Sequence, residues 1–224
     1  MRKGIETWQL FMNCRRMRHI RRCNNFPTLQ QEDVAQHGFY VTMLAMLFND
    51  ECRLYNEKCM LNAEFLLRKC LLHDTEETFT SDIPYPIKHS DGIIHERLEN
   101  NINQAMMKLA GDSQISMNWE IFRQECKSGI EGKVVAFCDM LELALYSYEE
   151  ISLGNKMMTV MLDNCNKYLE DLLVDAVTSV FPEDVEVKCQ IPSVVPHIWK
   201  LFSLVQRDSA SGEYVFKDYV VDLP

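Results

Sequence analysis

The stretch Leu71 to Lys88, LLHDTEETFTSDIPYPIK, decides the reading of this chain. A leucine-rich helix runs into His73 and Asp74, Glu77 and Asp82 follow, and Pro84 and Pro86 then break the periodicity. An apolar helix ending in an imidazole and a carboxylate needs partners for both, because a buried, unpaired carboxylate is strongly destabilising. Neighbours on a helix point about 100° apart, so His73 and Asp74 meet at one point only if it lies near the helix end. Two more residues share this out-of-place character. His37 opens an apolar helix, and Asp139 sits in VVAFCDMLELAL among large apolar side chains. Two imidazoles with two carboxylates make a divalent-metal shell suited to Mn, Co, Fe or Zn. Each residue also has a plainer use, since Asp74 can neutralise His73 and Asp139 can pair with an arginine.

Outward from that stretch, helical periodicity dominates. Trp8, Phe11 and Met12 predict a first helix. From His37 to Leu54, the residues Tyr40, Met43, Leu44, Leu47 and Phe48 recur three and four apart. Asn62 is placed to cap the next helix, with Glu64 in its first turn and Phe65, Leu66, Cys70 and Leu71 as a broad buried face. Ile94, Leu98, Ile102 and Met106 form another stripe. Two long helices follow, from Ile130 to Leu153 and from Asn155 to Phe181, divided at Gly154-Asn155. Pro192 and Pro196 bracket an expected linker, and YVFKDYVV, Tyr214 to Val221, is the one convincing strand signal. The expectation is an all-α globule over residues 1–182, with a C-terminal extension over 183–224, short and irregular or β, packed on it.

Composition narrows the function. Apolar residues make up 47% of the 224, enough for a substantial core. No apolar run reaches membrane-spanning length and no secretory signal opens the chain, so no membrane partner is expected. Nine cysteines without a C-x-x-C pair argue for reduced thiols and a cytoplasmic location rather than a disulfide framework or a thiolate zinc site. A net charge of −10 argues against a nucleic-acid polymer as partner. The basic run RRMRHIRR, Arg15 to Arg22, goes against that trend. It is either a solvated helix face or the source of an arginine fork for phosphate.

The order His37, His73-Asp74, Asp139 resembles the H…HD…D signature of HD-domain metal-dependent phosphohydrolases. Arg18 to Ala45, Leu71 to His89 and Phe137 to Asn155 are similar to the 5'-deoxynucleotidase branch, the YfbR type, and the resemblance covers roughly residues 5–175. It implies a helical HD-domain fold holding one divalent cation. It also implies hydrolysis of deoxynucleoside 5'-monophosphates to deoxynucleoside and phosphate. His37, His73, Asp74 and Asp139 match the family's metal ligands, and Arg22 a contact to the substrate phosphate. Glu77 matches a carboxylate beside the attacking water, and Asp82 the group that reads the sugar hydroxyl. Lys88 is a further candidate phosphate contact. Family members are often dimers, so a homodimer is expected. The pattern departs at Cys23, where the family has a tryptophan shaping the sugar site, and at Gln36 and Gly38, where it has Glu and Ser.

Two other functions fit the same residues. A deoxynucleoside triphosphate phosphohydrolase releasing tripolyphosphate could draw on Arg15, Arg16, Arg18 and Arg21 for the added charge. A catalytically inert nucleotide sensor would retain binding without turnover; the intact four-residue shell and Glu77 count against it.

Overall fold

The computed structural model describes residues 5–84, 92–183, 185, 187, 190–208, 211, 212 and 214. Among them the protein is all-α, with two isolated antiparallel bridges, Arg21 with Asp33 and Arg207 with Tyr214. The helices are α1 (Ile5–Cys14), α2 (Val34–Tyr55), α3 (Ala63–Leu72), α4 (Glu77–Thr80), α5 (Gly92–Ala110), α6 (Gln114–Gln124), α7 (Gly129–Ser152), α8 (Thr159–Ser179), α9 (Ile191–Val194) and α10 (Pro196–Leu204). Short 3-10 helices, Arg15–His19 and Lys156–Met158, follow α1 and precede α8.

The core forms where α2, α3, α7 and α8 pack together. Phe48 of α2 meets Phe137 of α7 with ring centroids 6.1 Å apart, and Leu66, Leu141, Leu162 and Leu169 close around them, all fully buried. Each such side chain contributes about 1.5–3 kcal/mol by leaving water. A smaller core of Leu10, Ile102 and Met106 joins α1 to α5, with Trp119 of α6 packed against it. Asn62 caps α3 as expected, accepting from the Phe65 N–H at 3.1 Å. Gly154, at φ 106°, ends α7 where the sequence places the break.

Several apolar side chains face away from the expected side. In α1, Trp8 is 60% exposed while Leu10 and Asn13 turn inward. In α2 the buried stripe is Val34, His37, Val41, Leu44, Ala45, Phe48 and Cys52, and Tyr40 and Met43 lie outside it. In α3, Phe65 and Leu71 are exposed, whereas Lys69 is buried and donates to the Ser128 carbonyl at 2.6 Å. Helices with apolar residues on two faces leave periodicity unable to choose between them, and packing makes the choice. The side chain of Ile94 lies outside the described residues.

The expected linker at Pro192 and Pro196 is helical instead. Both prolines occupy the first turns of α9 and α10, where a missing N–H costs nothing. Glu51 of α2 caps α10 from across the core, accepting from the His197 N–H at 2.7 Å and the Ile198 N–H at 3.3 Å. Ile198 and Phe202 are thereby drawn into the main core. Of the expected strand only Tyr214 is described; its hydroxyl donates to Asp163 at 2.7 Å.

Candidate metal centre

Three segments deliver the site. Asp33 and Gln36 form a capping box at the start of α2, Asp33 accepting from the Gln36 N–H at 2.9 Å and Gln36 from the Asp33 N–H at 3.0 Å. Gln36 thus anchors the first turn of α2, and His37 projects from that turn into the interior, fully buried. Gly38 has open space where a β-carbon would stand. His73 ends α3, and its Nδ1–H donates to the Cys70 carbonyl at 2.7 Å. Asp139 comes from the middle of α7.

The four side chains converge. His73 Nε2 lies 3.2 Å from His37 Nε2 and 3.0 Å from Asp74 Oδ2. His37 Nε2 lies 3.5 Å from Asp74 Oδ2 and 3.2 Å from Asp139 Oδ1. Ligand atoms of His37, His73 and Asp74 all fall within 4.8 Å of one another. Each imidazole has its Nδ1 committed to an oxygen acceptor: His73 to the Cys70 carbonyl, His37 to Glu142 Oε2 at 2.5 Å. That arrangement turns both Nε2 lone pairs toward Asp74, and that of His37 toward Asp139 as well, a donor set suited to a cation. Without one, protons gather there. Burial works against a charge on His73, but Asp74 and then Asp139 outweigh it and push the imidazole up to about 9.

Beyond His37 lies a second buried group that the sequence reading did not single out. Glu142, three residues after Asp139 on the same helical face, takes His37 Nδ1 and lies 3.4 Å from Arg22 Nη1. Glu32 stands 3.9 Å from Arg22 Nε. Burial and the mutual repulsion of Glu32 and Glu142 push the Glu32 carboxyl upward. Glu32, His37 and Glu142 could also embrace an ion, but Arg22 already supplies positive charge there. The Nε2 side of His37 has no comparable buried cation among the described residues.

The segment carrying Arg22 is clamped against the start of α2, the Arg22 N–H donating to the Glu32 carbonyl and the Val34 N–H to the Ile20 carbonyl, each at 3.0 Å. Cys23, at φ 50°, turns its N–H onto Asp82 Oδ2 at 2.7 Å, and Asn24 Nδ2 donates to the Asp82 carbonyl at 3.0 Å. Asp82 is thereby fixed against the Cys23–Asn24 turn. Glu77 opens α4; burial, with the charges of Asp74 and Asp82, pushes its carboxyl up to about 9. Lys88 lies outside the described residues.

Lys127, in the link between α6 and α7, gave no signal in the sequence. Its Nζ lies 2.7 Å from Asp139 Oδ2, and its side chain is 56% exposed, at the rim of the site. Glu76 and Arg123, 3.6 Å apart, are a further buried pair missed by sequence, and they tie the His73–Glu77 turn to α6.

The model of the family described as 5'-deoxynucleotidase YfbR-like matches residues 9–186. The chain belongs to this family. A YfbR-like relative from Salmonella typhi, 5'-deoxynucleotidase YfbR, is 27% identical over 165 residues, which is 71% of this chain and 81% of the relative. Among solved structures, an HD-domain phosphohydrolase from Listeria innocua has a TM-score of 0.58 at 23% identity, covering 87% of this chain and 98% of that one. The cyanophage S-2L HD phosphohydrolase DatZ, solved with dA and one catalytic Zn²⁺, has a TM-score of 0.56 at 17% identity, covering 86% of this chain and 95% of that one. These two share the HD-domain helical fold. Membership in the YfbR-like family places the protein among metal-dependent nucleotide phosphohydrolases.

Proposed function

We propose that this protein hydrolyses deoxynucleoside 5'-monophosphates to deoxynucleoside and phosphate. One divalent cation, Mn, Co, Fe or Zn, would be held by His37, His73, Asp74 and Asp139. The carrying observation is the convergence of the two Nε2 atoms and the Asp74 and Asp139 oxygens, with both Nδ1 positions already committed. The activity named for the Salmonella relative, and the dA and Zn²⁺ of the cyanophage structure, support the reading.

Phosphate-monoester hydrolysis requires accelerations up to about 10²¹-fold, beyond any lone side chain. When bound, a divalent ion supplies Lewis acidity toward water and phosphoryl oxygen. Arg22 holds the phosphate: Glu142, Asp74, Asp139 and Glu32 outweigh the effect of burial and keep the guanidinium charged. Glu77 would orient the attacking water or take its proton; burial and the charges of Asp74 and Asp82 hold its carboxyl up at about 9 while no cation is bound, and the charge of a bound cation would lower it. Asp82 keeps Oδ2 on the Cys23 N–H and offers Oδ1 to the sugar 3'-hydroxyl. Lys127 fixes the outer oxygen of Asp139 and leaves Oδ1 turned to His37. Lys88 remains a candidate phosphate contact.

One observation favours a second reading, a triphosphate phosphohydrolase. Arg18, His19 and Arg21 line a cavity of about 310 Å³ whose wall includes Glu32, the partner of Arg22. A panel of ribo- and deoxynucleoside mono-, di- and triphosphates, each with Mn, Co and Mg, tests both. Free phosphate from deoxynucleoside monophosphates is expected. Tripolyphosphate from triphosphates, with no monophosphate turnover, would replace the first reading by the second.

A further inference from the structure

Asp139 and Glu142 begin a longer polar row on α7. Tyr146 and Glu150 follow at spacings of four, so all four side chains share one face of the helix. Asp139 faces His37 Nε2, and Glu142 holds His37 Nδ1 and lies 3.4 Å from Arg22 Nη1. Tyr146 and Glu150 reach the chain that runs from Arg22 to Asp33. The Tyr146 hydroxyl donates to the Gln30 carbonyl at 2.8 Å. Glu150, fully buried, accepts from the Leu29 N–H at 2.7 Å and from the Gln30 N–H at 2.5 Å, one on each carboxylate oxygen. Asn155 Nδ2 donates at 2.7 Å both to Glu150 Oε2 and to the Pro27 carbonyl.

Apolar burial does little to fix this link. Pro27, Leu29, Gln30 and Gln31 are exposed, Leu29 to 63%; Phe26 before them packs on the core, and Val34 after them is buried. The hold on the link between those anchors therefore falls to the hydrogen bonds from α7 and Asn155. Two residues past Gln30 stands Glu32, whose carbonyl takes the Arg22 N–H at 3.0 Å. Glu150 thus fixes Gln30, Gln30 leads to Glu32, and Glu32 fixes the backbone of Arg22. The Arg22 guanidinium lies against Glu142, on the same face of α7 that supplies Glu150.

We propose that Glu150, assisted by Tyr146, is a positioning residue for the phosphate-binding arginine: it pins the Leu29–Gln30 backbone to α7 and so holds Arg22 in register with Glu142. The inference rests on the reading of Arg22 as the contact to the substrate phosphate. Glu150 acts through the link and has no contact of its own with the reacting groups, because both of its oxygens are taken up by the link and Asn155. Freed from α7, the link would let the guanidinium shift, and a misplacement of about 1 Å can cost about 100-fold in rate.

The test measures steady-state hydrolysis of dAMP and calorimetric binding of inorganic phosphate on the full chain loaded with one equivalent of Mn. Glu150→Gln keeps the side chain's size but replaces one acceptor oxygen by an NH2 group, which can take neither backbone N–H. KM for dAMP and Kd for phosphate should both rise about 10–100-fold, with kcat far less changed and Mn affinity unaltered. Tyr146→Phe removes one hydroxyl and little packing. It should move both constants the same way by a smaller factor, so the test does not depend on the Glu150 variant folding. The deciding arm is a double-mutant cycle. In an Arg22→Ala background neither substitution should raise KM or Kd further, whereas general loosening of the fold would add to the loss of Arg22. Additive effects, a matching loss of Mn affinity, unaltered constants in the variants, or no phosphate binding by the unmutated chain would overturn the proposal. A failure of dAMP turnover alone contradicts the monophosphatase reading, while the phosphate titrations still decide this one.

Discussion

His37 works through both ring nitrogens. Nε2 faces His73, Asp74 and Asp139, while Nδ1 is held by Glu142. Glu142 thus sets both the tautomer and the ring angle, and a partner of this kind is typically worth about 10–100-fold in metal affinity. Glu142→Gln keeps an oxygen for the Nδ1–H but removes the charge, so metal titration should give a loss of about that size. Unchanged affinity would remove Glu142 from the site. His73→Ala and Asp74→Ala delete donor atoms outright and should abolish turnover while circular dichroism stays that of a folded protein. Wild-type activity in either purified variant would contradict the assignment. Sequence could single out these four residues, which the fold gathers around His37 Nε2, because each is a polar residue in or at the end of an apolar helix. Glu142 was also visible in principle, three residues past Asp139 in DMLELAL, but it reads equally well as a solvated carboxylate. Lys127 carried no pattern at all, because a lysine in a link becomes meaningful only once α7 brings Asp139 within 2.7 Å of it.

At the scale of elements, the link from α6 to α7 shows how backbone contact positions a side chain. Gly132 lies in the first turn of α7 against the main chain of Lys127, and a β-carbon there would collide with the Lys127 carbonyl. The Ser128 carbonyl accepts both the Gly132 N–H, at 3.2 Å, and Lys69 Nζ, at 2.6 Å, so the link has little room to give. Gly132→Ala should destabilise the fold by about 1–3 kcal/mol through overpacking. It should also lower kcat/KM, because the displaced ammonium no longer fixes Asp139. Urea unfolding and steady-state kinetics check the two effects separately, and an alanine variant unchanged in both would show that the link moves freely. The contact also marks what periodicity cannot convey. Helix existence, the Asn62 cap and the Gly154 break were readable because they are local. The inward face of α1, the burial of Lys69 and the docking of α10 on Glu51 depend on residues distant in sequence, and Pro192 and Pro196 read as linker signals until those partners turn their segments into helices.

The whole molecule concentrates negative charge around one point. Glu32, Asp74, Glu77, Asp139 and Glu142 surround the two histidines, opposed by Arg22 and Lys127. Without a cation the folded protein offsets that excess by binding protons. Glu77 is pushed up to about 9 by burial and Asp74; His73 reaches about 9 because Asp74 outweighs burial; Glu32 and Glu142 are raised by burial. Unfolded, these carboxyls titrate near about 4.3 and the imidazole near about 6.5. Between those values and about 9 the folded state therefore holds more protons than the unfolded one, and stability falls as pH rises through the window. Asp74 and Asp139 are shifted downward, against burial, by His73 and Lys127 respectively, so their effect acts only below their unfolded value of about 3.9, outside that window. A divalent cation replaces the protons and contributes about 2.7 kcal/mol at a hundredfold excess over its Kd. The melting temperature of chelator-treated protein should thus drop between about pH 6 and pH 9. With Mn or Zn present the drop should be shallower, and the gap between the two curves should widen with pH. Thermal unfolding across a pH series, with and without metal, measures both curves; parallel lines would mean that the ion does not sit among these groups.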